Sequence, residues 1–233
     1  MLKFLLKKIF NKLLTKQEKI LSNLYNSINN NKNPLILFDI GGSGGLQERW
    51  KLFEKKIEII FVEPDKRSSL ELKQKGFKVI EKGLWKEKDV KKFYLTKKAQ
   101  TSSIYKPNKD LLNLFPDSSR FDIVKEINIE VDKLDNCIDK KYLPHFIKLD
   151  TQGSELAILK GGNDTLQNVL GLEIEVNFKK IYQNIPSVHE IETFLLEKNF
   201  VFIDFISFFR WERDGYRGFG ELVHADALFL KSP

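Results

Sequence analysis

The sequence predicts an α/β protein built on a doubly wound, mostly parallel sheet with helices on both faces. Three observations carry that prediction. Short, near-continuous apolar runs recur at residues 35–40, 57–62 and 146–150, the texture of strands buried on both faces. Helical patterns lie between such runs, so β-α-β units repeat. A glycine-rich turn, Asp39-Ile-Gly-Gly-Ser-Gly-Gly45, joins the first run to the helix that follows it.

Taken in order, residues 2–14 place Leu2, Leu5, Leu6, Ile9 and Leu13 at helical spacing among lysines, a basic amphipathic helix. Thr15 to Glu18 is a capping-box pattern, and Ile20, Leu21, Leu24, Tyr25 and Ile28 form the stripe of a second helix. The α/β unit begins at 35. A helix is expected over 46–55, strands over 57–62 and 77–81, and a helix over 66–75. Residues 92–96 and 127–134 read as extended, with an irregular Ser-, Asn- and Pro-rich loop between them. The strand at 146–150 leads to a helix at 154–160, closed by Gly161-Gly162, and then to a strand at 170–176. Ser187 with Glu190 opens a helix through 198, and strands at 200–205 and 225–231 finish the chain. The organisation is thus an appendage, 1–34, and one domain, 35–233.

Composition excludes other classes. With 233 residues, 42% hydrophobic and 30% charged, the chain is long enough for one large core and is neither disordered nor fibrous. A single cysteine, Cys137, and three histidines offer no disulfide framework and no zinc cluster, so no metal is expected and a reducing, cytoplasmic setting is. No run of eighteen apolar residues exists, and lysines interrupt the N-terminus too often for a secretory signal. The net charge of +7 divides into +6 on residues 1–34 and +1 on the rest. Those lysines suit a helix lying on the anionic inner face of a membrane, or packing on a second copy in a homodimer. No nucleic-acid module is visible, so nucleic acid is not an expected partner.

The glycine loop is the sharpest chemical feature. Glycines let a backbone approach a ligand closely, and the next helix offers free N–H groups. A dinucleotide fingerprint needs glycines at i, i+2 and i+5, but Gln47 stands at i+5 from Gly42 and Ser43 at i+2 from Gly41. A nicotinamide oxidoreductase therefore fits badly, and a ligand with an adenosine and a carboxylate fits at least as well. Glu63, in Phe61-Val-Glu-Pro-Asp65, ends the second strand about twenty residues on, where an acid can accept both ribose hydroxyls. Asp150 ends a later strand, Glu155 opens the next helix, and Glu173 and Glu175 share one face of the strand after that. Asp150, Glu155 and Glu175 are the candidate acids for general-base work, with capping and dipole stabilisation as the alternative use of Glu155. The aromatic and arginine-rich stretch 205–220 reads as a flap over the acceptor or as a covering hairpin, and His189 and His224 as helix-surface and strand-edge residues.

In combination DIGGSGG, FVEPD, Thr101-Ser102-Ser103, IEVDKLDN, IKLDTQGSELAILKGG, LEIEVNF with Tyr182, and HADALFLK resemble, in order over 35–231, the FkbM family of S-adenosylmethionine-dependent methyltransferases. Most members carry an acid where this chain has Gln152. The resemblance implies a class I Rossmann-like methyltransferase fold with a seven-stranded sheet, S-adenosylmethionine as cofactor, and methyl transfer to a hydroxyl of a glycan, lipid-linked sugar or related small metabolite. It implies that Asp39, Gly41, Gly42 and Gly44 border the methionine part of the cofactor and Glu63 the ribose. Gly83, with Leu84 or Trp85, would lie near the adenine, and Ser102, Ser103 and Asp150 near the transferring methyl. A non-catalytic membrane scaffold on the same fold is the alternative from another class.

Overall fold

The computed structural model describes residues 34–51, 53–54, 56–213, 215, 218 and 220–232. The helices expected over 2–14 and 16–28 fall outside the described residues. The unit from Leu35 onward is a seven-stranded sheet in the order β3-β2-β1-β7-β8-β10-β9. Its strands are β1 (Leu35–Ile40), β2 (Ile57–Val62), β3 (Lys78–Ile80), β7 (Phe146–Leu149), β8 (Gly171–Asn177), β9 (Phe200–Trp211) and β10 (Glu221–Lys231). The pairs from β3 to β8 are parallel, and β10 runs antiparallel to both neighbours. Helices α1 (Glu48–Lys51), α2 (Lys66–Gln74), α3 (Lys109–Leu112), α4 (Leu134–Cys137), α5 (Glu155–Lys160), α6 (Thr165–Asn168) and α7 (Val188–Glu197) complete the unit. Among the described residues no helix is long and apolar enough to cross a membrane.

Pleating gives the central strands two different faces. Ile36, Phe38, Ile40, Ile147, Leu149, Leu172 and Ile174 look one way and pack with Leu156 and Leu159 of α5 and Ile191 and Leu195 of α7. Leu37, Ile59 and Phe61 look the other way, toward Leu72 of α2, Leu46 and Trp50. The helices thus lie on both faces, as the pattern of apolar runs requires. Ser187 caps α7 in a complete capping box with Glu190.

Three expectations change. The helix over 46–55 is only four residues long, Glu48–Lys51, and hydrogen-bonded turns at Phe53 and Glu54 follow it. The extended segments form no part of the main sheet. β5 (Asp89–Thr96) and β6 (Ile123–Asp132) pair antiparallel, and β4 (Gly83–Leu84) joins β6 to make a separate three-stranded sheet. The last two strands are longer than expected, because β9 runs on to Trp211 and β10 starts at Glu221, so of the two readings of 205–220 the hairpin is the one found. Register shifts skip Ile203 and Ile206 of β9, so Phe202, Phe205 and Phe208 pair with Phe229, Ala227 and Ala225 on one face. The rings stack along the edge at 4.8 and 5.7 Å, which alternation without bulges would have split between faces.

Polar residues collect on the α1 side of the sheet. Arg49 reaches from α1 to Glu173 of β8 through both carboxylate oxygens, to Asp226 of β10 at 2.6 Å and to Ser207 of β9 at 3.1 Å. Trp50 Nε1 donates to Glu173 at 2.8 Å. Both acids are buried, while Arg49 is one-third exposed. Removing the cation leaves two desolvated carboxylates facing each other. Arg49→Ala is therefore expected to cost about 3 kcal/mol, a Tm drop of roughly 6–12 °C for a domain this size. A thermal melt within about 2 °C of wild type would show that the clamp contributes little.

Candidate active site

At the carboxyl ends of the parallel strands lies an open cavity whose lining brings together the glycine loop, Glu63, Ser102 and Asp150. The glycine loop forms one side. Gly41 has φ +81 and its N–H donates to Val62 at 2.9 Å. A Cβ on Gly41 would sit 2.0 Å from the Asp150 carbonyl oxygen, so this glycine is what allows the loop to touch the end of β7. Gly42 faces Phe61, which a Cβ would meet at 2.1 Å. Gly44, at φ +98, lies over Gln100. Of the loop residues Gly41 and Ser43 line the cavity, while Gly42 and Gly44 shape it from outside.

Asp39 stands beneath the loop, fully buried. In register with it on β7 is Lys148, and Glu173 is next along on β8, so opposite charges form a row across three buried strands. Lys148 Nζ donates to Asp39 Oδ1 at 3.1 Å and lies 3.5 Å from Asp150 Oδ2. Burial pushes Asp39 up and the lysine opposes it. The neighbouring carboxylates outweigh burial at Lys148 and hold it above the ordinary lysine range. Asp39 Oδ2 is buried and has no hydrogen-bond partner among the described residues.

Glu63 reaches the cavity from the end of β2. Its Oε1 accepts from the Asp65 backbone at 2.8 Å, and burial pushes its carboxyl up to about 7 despite that bond. Across the cavity, Lys82, Gly83 and Leu84 form the opposite wall. β4 is held there by β6, whose Val131 comes within 2.8 Å of where a Gly83 Cβ would be. Trp85 turns away and packs on Tyr105 at 5.9 Å, which leaves Leu84 as the wall residue of that pair. Ser102 lines the cavity, and its Oγ accepts from Thr96 N and from Arg67, both at 3.1 Å. Ser103 is one step back, its Oγ donating to the Gln152 carbonyl at 2.8 Å.

The three candidate acids do not converge on the cavity. Asp150 lines it and accepts from Gln152 Nε2 at 2.8 Å. Glu155 is turned back onto its own loop, accepting from Thr151 N at 2.8 Å, Thr151 Oγ1 at 3.0 Å and Gly153 N at 3.2 Å. Burial pushes it up to about 7 against those bonds, and its geometry is that of a brace for residues 151–153. Glu175 lies behind Asp150, buried, with Gln152 between them.

Sequence reasoning missed Lys148, Tyr182's contact and His224. A lysine inside the apolar run Phe146-Ile-Lys-Leu149 was itself the signal, since a buried charge needs a partner on the same face of a neighbouring strand. His224 is not a strand-edge residue. Its ring stacks on Phe209 at 4.3 Å and 7°, its Nδ1 lies 3.1 Å from Glu175 Oε2, and its side chain is 14% exposed. That separation suits an ion pair but is not aligned as a hydrogen bond. Of the stretch 205–220, Arg210 is bonded to the Gly220 carbonyl and Arg213 to Glu221, while Arg217 is outside the described residues.

The methyltransferase FkbM domain matches residues 39–202, from the acid of the glycine loop into β9. The chain belongs to the FkbM family of methyltransferases, and its sheet is that of a class I methyltransferase. No curated protein sequence matches it. Among solved structures it is similar to magnesium protoporphyrin IX methyltransferase from Synechocystis with bound SAM, at 11% identity and TM-score 0.44, over 94% of this chain and 81% of that one. It is also similar to precorrin-6y C5,15-methyltransferase from Geobacter metallireducens, at 10% identity and TM-score 0.44, over 85% and 81%.

The residues present fit S-adenosylmethionine. The cavity is lined by an acid, Glu63, that can accept from hydroxyls, by the apolar Leu84, and by Gly41, which admits a ligand close to the backbone. Burial pushes the Glu63 carboxyl up to about 7, and only its ionised form could accept from both hydroxyls of a ribose, so a cofactor held there is expected to bind more weakly as the pH falls. Affinity for S-adenosylhomocysteine is expected to be roughly tenfold weaker at pH 6 than at pH 8. Calorimetry of wild type and Glu63→Gln checks this, and a pH dependence surviving in the variant would place the titrating group elsewhere.

Proposed function

We propose that the chain transfers the methyl group of S-adenosylmethionine to a hydroxyl of a carbohydrate, such as a surface glycan or lipid-linked sugar, or of a related small metabolite. The observation that carries the choice of a hydroxyl is Asp150, an acid on the cavity wall whose position is set by Gln152 on one side and Lys148 on the other. A hydroxyl must shed its proton to become a methyl ether, so an oriented carboxylate at that wall has work to do. S-adenosylmethionine is the methyl donor, and when bound it supplies a methyl already activated on a sulfonium.

The protein's own part is positioning. Glu63 accepts from the ribose hydroxyls, Leu84 packs on the adenine, and Gly41 admits the methionine end beside the end of β7. Asp150 orients the acceptor hydroxyl and takes its proton, while Glu155 keeps residues 151–153 in place behind it. Alignment of this kind supplies much of the rate of a displacement reaction. Residues 1–14 bring the enzyme to the anionic cytoplasmic face of a membrane, where lipid-linked sugars are found, and a reading in which they pack on a second copy is favoured by no observation. Their four lysines, Lys3, Lys7, Lys8 and Lys12, support membrane contact by charge.

Calorimetry with S-adenosylhomocysteine is the first test. The expected result is one-site binding in the micromolar range or tighter, and no heat from a folded sample would sink the reading. Incubation with a methyl-labelled donor and fractionated glycans, lipids and metabolites then identifies the acceptor, and label released from every fraction by treatments that spare ethers would exclude a methyl ether as the product.

A further inference from the structure

Gln152 is the most heavily engaged side chain at the cavity wall. Its backbone is left-handed, φ +58, a conformation seldom adopted by a residue with a side chain. Its carbonyl oxygen accepts from Ser103 Oγ at 2.8 Å. Nε2 lies 2.8 Å from Asp150 Oδ1 and 3.3 and 3.5 Å from the two oxygens of Glu175. Oε1 faces the Tyr182 hydroxyl at 2.9 Å, and that hydroxyl also reaches the Thr101 carbonyl at 2.9 Å. The two carboxylates favour this orientation, since the flipped amide would aim a carbonyl oxygen at both, and the single Tyr182 hydroxyl hydrogen is then shared between Oε1 and the Thr101 carbonyl.

Asp150 and Glu175 belong to adjacent strands and both approach a single nitrogen. Two carboxylates that close repel unless something between them donates. Divalent cations commonly do this, with oxygen ligands from several chain segments. A primary amide can do it without charge, since its nitrogen carries two N–H groups. Lys148 stands by Asp150 Oδ2, His224 by Glu175 Oε2, and Asn177 Nδ2 lies 3.5 Å from Glu175 Oε1; of these donors and Gln152, the Gln152 amide is the one that approaches both carboxylates. Among the described residues no three His, Cys, Asp or Glu side chains converge as metal ligands.

We infer that Gln152 is a positioning residue whose side-chain amide takes the place of a bridging cation between the Asp150 and Glu175 carboxylates. This deepens the reading of the cavity as a methyl-transfer site, but its test measures cation binding, so either can fail without the other. Removing the amide vacates a position between two carboxylates, and a carboxylate in its place adds a third oxygen ligand with His224 nearby.

The experiment compares chelator-treated wild type, Gln152→Ala and Gln152→Glu in thermal melts with and without MnCl2. Wild type is expected to keep its Tm in Mn2+. Both variants are expected to melt lower than wild type without the cation and to regain stability in its presence. The gain is greater for Gln152→Glu, a rise of roughly 5–10 °C at a concentration about 100-fold above Kd. A merely structural loss would not be restored by a cation. Wild type gaining as much as the variants would overturn the inference. So would both variants ignoring Mn2+, and Gln152→Ala decides alone where Gln152→Glu does not fold.

Discussion

Asp150→Asn is expected to lower methyl transfer by roughly two to four orders of magnitude, the range over which a positioned general base acts, while binding of S-adenosylhomocysteine changes by less than about tenfold. The substitution keeps the side chain's size. It removes the ability to take a proton, and it forces one amide hydrogen pair toward either Gln152 Nε2 or the Lys148 ammonium, both of which are donors. The affinity measurement separates that local mismatch from loss of the whole site. Labelled transfer to the acceptor fraction, measured beside calorimetry of the same sample, decides the matter. Transfer retained within tenfold would remove the base role and leave alignment alone as the source of rate.

Gly41→Ala carries the second large effect. The new Cβ would have to occupy a point 2.0 Å from the Asp150 carbonyl oxygen and 2.7 Å from its carbon, at φ +81. Neither atom is the end of a flexible side chain, so the loop or the end of β7 must move by an ångström or more. Both form the cavity wall, and displacement on that scale is expected to weaken S-adenosylhomocysteine binding by about 100-fold or more. Gly215 makes a direct control, since it has the same φ of +81 with nothing among the described residues within 4 Å of an added Cβ. Gly215→Ala isolates the left-handed backbone cost, of order 1–2 kcal/mol, from the collision. Equal loss of affinity in the two variants would show that conformational strain, and not the approach to Asp150, explains the glycine.

Much of the fold was legible because its signals are local. β1 and β2 occupy the residues their apolar runs mark, and α7 begins at the capping box formed by Ser187 and Glu190. The helix expected over 46–55 is longer than the one found because Phe53 continues an apolar pattern that a turn also tolerates. The hairpin was cut short for a different reason. Two bulges change the spacing of Phe202, Phe205 and Phe208 from two to three, and no alternation rule detects a strand whose alternation is broken. Glu155 was placed in the crevice by its position at a helix start, but its length lets the carboxylate fold back to cap the preceding loop.

The sequence by itself determined the class of fold, the glycine loop, the acid at the end of β2 and, through the order of its motifs, the family. Each is a pattern of neighbouring residues or of fixed spacing along one element. The tertiary structure alone decided which charges meet. Asp39 and Lys148 are 109 residues apart and face each other only because β1 and β7 pair in one register and pleat to one side. Asp150, Gln152 and Glu175 came together by a parallel pairing and a left-handed turn, neither of which has a local sequence cost that could be read in advance. A one-residue slip of either register would move these groups to the apolar face, so the same burial that stabilises the sheet also assembles the site.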